Sequence, residues 1–185
     1  EAEQSLAERG ERFARFGLTL HPDKTRLIEF GRYAGPNRRA RGDGKPETFT
    51  FLGFTHSCGK TRRGKFTVLR QTMRQRWQAK LKAVKAELRR RLHDPLSAVG
   101  GYLGSVVRGH VQYYGVPMNG PSVVAFRHAI GRLWMGALPR RSQSLHLGWG
   151  RMRRSIDRWL PPARLCHPYP LVRLGVVTQG KSRMR

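Results

Sequence analysis

RQTMRQRWQAKLKAVKAELRRRLH (residues 70–93) is the stretch that decides the fold of the helical part of this chain. Its apolar residues recur every three or four positions, which places them on one face of an α-helix. They are Met73, Trp77, Leu81, Val84, Leu88 and Leu92. Asp94-Pro95 ends the pattern, because proline disfavours helical backbone at the residue before it. The stretch therefore predicts a long amphipathic helix.

Three further helices follow along the chain. An apolar stripe predicts the second over residues 96–114, Pro121-Ser122 opens the third, and residues 149–160 fit a fourth. Antiparallel helices joined by short connections form bundles, so residues 70–138 are predicted to be a helical bundle domain. The C-terminal segment 139–185 is predicted to comprise a basic helix and an extended tail. Its first residues, 139–148, are predicted to form a basic loop before that helix.

The first 69 residues have a mixed pattern. Residues 1–16 have helical spacing and end at Gly17, a typical C-cap residue. Short apolar runs predict strands within 18–30, at TFTFLGFTH (48–56) and at FTVL (66–69). Residues 31–47 are rich in Gly, Pro, Asn and Arg, which predicts a flexible basic loop. The fold class expected is α+β: a small β element with a flanking helix, then a mainly helical bundle and a basic tail.

The charge of the chain indicates a polyanionic partner. Lys and Arg number 37 against 11 Asp and Glu, a formal net charge of +26. Four Trp, five Tyr and eight Phe exclude a disordered, histone-like tail. The two cysteines favour a reducing compartment, and the sequence shows neither a membrane span nor a signal peptide. Because it begins inside an apparent helix, we expect it to be a fragment.

The basic face of the first bundle helix is the strongest binding signal. It carries nine Lys or Arg, with Glu87 as the only acid between residues 70 and 93. A solvated face, the alternative, usually mixes both signs of charge. We therefore predict that this face neutralises nucleic-acid phosphates through Arg74, Lys82, Lys85 and Arg89.

The carboxylates do not predict a catalytic centre. Two-metal polymerases and nucleases need clustered Asp or Glu, yet the acids after residue 30 are scattered. They are Asp43, Glu47, Glu87, Asp94 and Asp157. GKT (59–61) lacks the first glycine of a phosphate loop, and His56-x-Cys58 and Cys166-His167 lack the spacing of a zinc finger. No catalytic residue, metal ligand or cofactor site is predicted.

Three segments resemble group II intron-encoded reverse transcriptases and maturases of bacteria. GLTLHPDKTRLIEFGR (17–32) and FTFLGFTH (49–56) resemble the end of the palm of that family. VRGHVQYYGV (107–116) resembles a motif of its thumb, the maturase-specific domain X. HPYPLVRLGVVTQGKSRMR (167–185) resembles the tail of members without an endonuclease domain. The resemblance covers the chain in family order and gives the domains as 1–69 (palm end), 70–138 (thumb) and 139–185 (helix and tail).

The resemblance implies a function. Members of the family bind their intron RNA to assist splicing, and the complete enzyme copies RNA into DNA with Mg²⁺ on an RNA/DNA duplex, for intron mobility. The family's catalytic YADD strand lies before the segment that matches residues 1–16 and is absent here. The expected location is the bacterial cytoplasm, without membrane attachment. Two alternatives remain. One is a ribosomal-type or architectural RNA-binding protein, and the other is an inactive remnant of a truncated gene.

The resemblance also assigns site residues. It puts Lys24 at the edge of the polymerase site, and the run from Phe51 through Leu52 to Gly53 at the strand that supports the primer terminus. Core packing is an equal alternative for Phe51 and Leu52, and a close backbone contact for Gly53.

The resemblance puts Arg108, Tyr113 and Tyr114 on the thumb surface. One of the two tyrosines is expected in the core, because neighbouring residues on a helix point about 100° apart. His110 stands where the family has Trp, which weakens stacking there. Arg173 and Arg183 of the tail complete the predicted nucleic-acid-binding residues.

Overall fold

The fold is α+β, as predicted, in a computed structural model that describes residues 2–138 and 149–169. Within these residues the helices are α1 (Ala2–Ala14), α2 (Ala34–Ala40), α3 (Arg74–Arg90), α4 (Leu96–Tyr114), α5 (Gly120–Ala137) and α6 (Trp149–Trp159). The strands are β1 (Phe49–Phe51), β2 (Phe54–Lys60) and β3 (Phe66–Thr72), in the order β1-β2-β3. No helix in these ranges is long and apolar enough to cross a bilayer.

The chain divides into two compact units, each described by itself below. Unit 1 comprises the described residues of Glu1–Thr48 and Ser57–Val68, and unit 2 those of Phe49–His56 and Leu69–Arg185. This division groups FTFLGFTH with the helices, whereas the predicted boundary falls after residue 69. The predicted domains stay a prediction.

The core of unit 2 lies among α3, α4, α5 and α6. The apolar stripes predicted from the sequence supply Val84 and Leu88 from α3, Leu103 from α4, and Phe126 and Ile130 from α5. Val107 and Trp134 are also buried there, next to the predicted Val106 and Leu133, which are partly buried. From α6 it receives Met152 and Ile156. α6 approaches α4 closely at two glycines, since a Cβ on Gly100 or Gly104 would lie 2.6 Å from the ring or the carbonyl of Trp159. The four predicted helices of unit 2 are thus confirmed to within a few residues.

A buried asparagine joins three elements of unit 2. The Asn119 side chain, at the start of α5, is fully buried. Its Oδ1 accepts from the Thr72 N–H at 2.9 Å, and its Nδ2 donates to Thr72 Oγ1 at 2.9 Å and to the Tyr114 carbonyl at 2.8 Å. Because each of these buried polar atoms is satisfied, the end of β3 and the end of α4 are fixed against α5.

FTFLGFTH is a hairpin rather than the single strand that its alternation predicts. Phe49 pairs with His56 and Phe51 with Phe54, in antiparallel register. Between them Leu52 and Gly53 have φ of 47° and 75°, so two consecutive left-handed residues reverse the chain. Leucine rarely adopts such a φ, which is why the turn is not evident from the sequence.

Two predictions for unit 1 are wrong. No strand forms within residues 18–30; a turn closes where the Thr25 N–H donates to the His21 carbonyl at 2.9 Å. The short apolar runs there have no partner strand, and alternation alone does not make a ladder.

The second error is the predicted loop at 31–47, which contains helix α2 with Ala34 buried. Pro36 lies in the first turn of α2, where its missing N–H costs no helical bond. Outside the helix, the Glu47 carboxylate accepts the Glu29 N–H at 3.0 Å, and Arg41 pairs with both Glu29 and Asp43. The composition of the segment did not indicate the helix or these contacts.

Candidate nucleic-acid interface

The hairpin turn and the paired tyrosines of α4 form one cluster in unit 2. Tyr113 Oη donates to the Leu52 carbonyl at 2.9 Å. A Cβ on Gly53 would lie 2.9 Å from Tyr114 Oη, so only glycine leaves room for that ring. The Phe54 ring stacks on Tyr113 at 6.0 Å and meets Tyr114 edge-on at 5.1 Å. The aromatic cluster is defined here as Phe51, Leu52, Gly53, Phe54, Tyr113 and Tyr114.

The outer members of the aromatic cluster are open to solvent. Phe51 is 61% exposed, Leu52 66% and Tyr113 53%, so the core-packing alternative for Phe51 and Leu52 is wrong. Tyr114 is half-buried and packs against the core, which confirms that one of the two tyrosines is a core residue. Exposed apolar groups next to one another are typical of an interaction surface.

A groove of about 640 Å³ runs between α3 and α4 beside the aromatic cluster. Arg76 and Lys80 line it from α3, and His110, Tyr113 and Tyr114 line it from α4. Burial raises the pKa of Tyr114, with a further increase from Tyr113 and an opposing effect from Arg76. The groove therefore combines a neutral phenol with two cations, and we call it the tyrosine groove.

Arg76 and Lys80 were not among the residues predicted to bind nucleic acid. The signal that could have identified them is their spacing: they lie four positions apart, each directly before an apolar residue of the α3 stripe. Residues four apart on a helix are neighbours on one face. Because Arg76 and Lys80 lie at the edge of the apolar stripe, they face the neighbouring helix. The four predicted cations were chosen from charge alone, which does not indicate the helix that each of them faces.

His110 contributes an aromatic ring to the floor of the tyrosine groove. Its ring stacks on Phe126 with centroids 3.6 Å apart and lies 4.6 Å from Tyr114. Burial, and then the charge of Lys80, lower the pKa of His110 to about 4. Its Nε2 is buried and has no hydrogen-bond partner among the described residues. The neutral ring thus fills an aromatic position, and the expected loss of stacking here is limited by the contact with Phe126.

The predicted cations of α3 are all exposed, but they face different surroundings. Lys85 and Arg89 line a second groove of about 410 Å³, together with Arg132 of α5. Arg74 and Lys82 line neither groove. Glu87 pairs with Arg91 at 2.7 Å and with Arg90 at 3.8 Å, so it offsets charge at the end of the helix and pairs with none of the four predicted cations. The role of the four predicted cations stays a prediction.

Two of the remaining predicted residues lie within the described part of the chain. Arg108 is exposed on α4, and Lys24 is exposed in the His21–Thr25 turn of unit 1. Arg173 and Arg183 lie outside the described residues, as do the predicted loop at 139–148 and the chain beyond residue 169.

A further set of cations on α6 was missed. They lie opposite its buried Met152 and Ile156, are exposed, and comprise Arg151, Arg153, Arg154 and Arg158. Their signal in the sequence is an arginine-rich run interrupted by apolar residues at helical spacing.

Metal ligands do not cluster in the part of the chain that the structure describes: no group of three or more His, Cys, Asp or Glu there could hold an ion. No family model matches the chain, and neither a curated protein nor a solved structure shows significant similarity to it.

Proposed function

We propose that this chain binds structured RNA and corresponds to the palm end and thumb of a group II intron-encoded reverse transcriptase and maturase. The observation that carries the proposal is the contact between Tyr113 and Leu52. These residues belong to the two segments, FTFLGFTH and VRGHVQYYGV, that resemble separate motifs of that family. Their meeting in one exposed cluster supports a shared site.

The chemistry of the tyrosine groove supports RNA as its ligand. Arg76 and Lys80 can neutralise phosphates, while the exposed ring of Tyr113 in the groove can stack on bases or ribose. The exposed ring of Phe51, in the adjoining aromatic cluster, can do the same. Tyr113 keeps its Oη on the Leu52 carbonyl, so its ring is held in place before RNA binds. A rigid ring loses little conformational entropy on binding, which favours affinity.

The proposal assigns binding to this chain and polymerisation to the complete enzyme. In that enzyme the turn from Phe51 to Gly53 supports the primer terminus, Lys24 lies at the edge of the polymerase site, and Mg²⁺ is held by carboxylates outside this sequence. The cations that bind intron RNA are those of α3 together with Arg108, Arg173 and Arg183. A ribosomal-type or architectural protein explains the charge of the chain but not the aromatic cluster.

The test compares two RNAs of equal length with the full chain. One is a folded group II intron domain, and the other is the same nucleotides in shuffled order. We expect tighter binding to the folded domain, because 2′-hydroxyl and shape contacts distinguish structured RNA. Equal affinities would favour an architectural protein, and no binding to either RNA would overturn the proposal.

A charge variant tests the part played by α3. Replacing Arg74, Lys82, Lys85 and Arg89 by Gln removes four exposed cations and leaves the apolar stripe intact. If each neutralises one phosphate, the slope of log Kd against log [KCl] falls by roughly 3 to 4, at about 0.7–0.9 per contact. An unchanged slope with an unchanged circular dichroism melt would show that this face is only solvated.

A further inference from the structure

Unit 1 contains a basic groove whose residues belong to none of the sites described above. Its volume is about 1220 Å³. Its cations come from the segment around α2 and from the hairpin that joins β2 to β3. They are Arg32, Arg39, Lys60, Arg63 and Lys65, and we call this the unit 1 groove.

The positive charge of the unit 1 groove is not neutralised within the described residues. No carboxylate lines it, and none of its five cations forms an ion pair there. The nearest acids in sequence are already engaged: Glu29 and Asp43 both pair with Arg41. All five cations are exposed. Like charges held together without counter-charges raise the local concentration of an anionic ligand.

The lining indicates which anion fits. The volume exceeds the roughly 300–1,000 Å³ of ordinary small-molecule sites, which favours a polymer. Phe66 is the one aromatic side chain in the lining and is half-buried, so the groove offers neither a stacking platform for bases nor the apolar anchor that a protein partner needs. Three of the five cations are arginines, whose guanidinium forks match phosphate oxygens.

We infer that the unit 1 groove binds the sugar–phosphate backbone of double-helical RNA independently of base sequence. It differs from the tyrosine groove of unit 2, in which the exposed ring of Tyr113 accompanies the cations. The inference rests on the proposed function only for the choice of RNA as the polyanion. Gly59 and Gly64 in the lining carry no side chain, so neither residue obstructs the approach of a wide helix to the cations.

The test uses the full chain and an RNA duplex of random sequence. A length of about 20 base pairs exceeds the ~16 that double-stranded RNA-binding domains span. The groove variant carries Arg39→Gln, Lys60→Gln and Arg63→Gln, and the matched control carries Arg9→Gln, Arg12→Gln and Arg15→Gln. Both lose three exposed arginines or lysines of unit 1, but the control residues lie on or directly after α1, which also carries Glu3, Glu8 and Glu11.

For the groove variant we expect the slope of log Kd against log [KCl] to fall by roughly 2 to 3, at about 0.7–0.9 per phosphate contact. The control should lose well under half of that amount. Equal changes in the two variants, with unchanged circular dichroism melts, would overturn the inference.

A third variant distinguishes failure of this inference from failure of the proposed function. It carries Arg76→Gln with Lys80→Gln, which removes the cations of the tyrosine groove. Suppose that this third variant binds the folded intron domain more weakly, and that the groove variant binds the duplex as the α1 control does. The proposed function then stands, and the unit 1 groove does not bind RNA. If the wild-type chain binds neither RNA, both are overturned.

Discussion

Tyr113 Oη lies 2.9 Å from the carbonyl oxygen of Leu52, and this hydrogen bond joins the middle of a β-turn to the last turn of a helix 61 residues later. The bond holds an exposed leucine with a φ of 47° beside an exposed tyrosine. Backbone in a left-handed conformation at a non-glycine residue costs about 1–2 kcal/mol. Such strain persists where neighbouring contacts oppose its release, and it clusters at functional sites.

Two substitutions of Tyr113 separate its hydrogen bond from its ring. Tyr113→Phe removes only the hydroxyl, so we expect the free energy of unfolding to fall by about 0.5–1 kcal/mol. The stacking contact with Phe54 still positions the ring, so the RNA Kd should stay within about twofold. Tyr113→Ala also removes the stacking ring, which predicts a Kd weaker by about 5- to 150-fold. Urea unfolding and equilibrium binding to the folded intron domain measure the two effects.

The control is Tyr169→Ala, which removes another exposed tyrosine of unit 2. It should leave the Kd nearly unchanged. Equal losses for Tyr113→Ala and Tyr169→Ala would contradict a stacking role for Tyr113.

Gly53 and Gly64 form a matched pair for testing how closely Tyr114 packs on the turn. Their φ values are 75° and 76°, but a Cβ on Gly53 meets Tyr114 Oη at 2.9 Å, whereas a Cβ on Gly64 meets nothing within 4 Å. Gly64→Ala should therefore lose about 1 kcal/mol of stability from backbone strain alone. Gly53→Ala should lose about 1 kcal/mol more, because the Tyr114 ring must shift. Equal losses in chemical unfolding would show that the ring does not pack on the turn.

The helices of unit 2 could be predicted from the sequence because each needs only its own apolar stripe. The stripe from Trp77 to Leu88 is periodic, and its burial follows from that period. The turn at Leu52-Gly53 could not be predicted, since its left-handed leucine is held by Tyr113 from a distant helix. Nor could the partners of Asn119, because a buried amide takes its partners from tertiary structure.

The binding surface was predicted only in outline. Charge and the scarcity of acids indicated the basic face of α3, but the choice of Arg76 and Lys80 as groove residues depends on which side of α3 meets α4. In unit 1 the Gly-Pro composition of residues 31–47 concealed α2, whose proline lies in its first turn. In both cases the information lies in contacts between elements rather than in the local pattern.

His110 should make the protein less stable in mild acid. Its pKa is about 4 in the folded chain, below the ordinary 6.5, because burial and Lys80 oppose its charge. A histidine with a lowered folded pKa binds its proton more readily when unfolded, so stability is full above pH 6.5 and falls as the pH drops toward 4. Between pH 7 and pH 5 the free energy of unfolding should fall by about 2 kcal/mol through this group.

The variant His110→Phe isolates that contribution from other titrating groups. Phenylalanine keeps a ring against Phe126 and removes the unpartnered Nε2. Its loss of stability from pH 7 to pH 5 should be smaller than that of the wild type by about 2 kcal/mol. Parallel pH profiles for the two proteins would show that His110 is not kept neutral by burial.

The most direct test of the account is the salt dependence of RNA binding by Arg76→Gln with Lys80→Gln. These two cations lie in the tyrosine groove, and the control Arg9→Gln with Arg12→Gln removes two exposed arginines from α1. Binding to the folded intron domain is measured at several KCl concentrations. Replacing Arg76 and Lys80 should lower the slope of log Kd against log [KCl] by roughly 1.4 to 1.8. The α1 pair should change it by much less. Equal slopes for both pairs, with both proteins folded, would contradict RNA binding in the tyrosine groove.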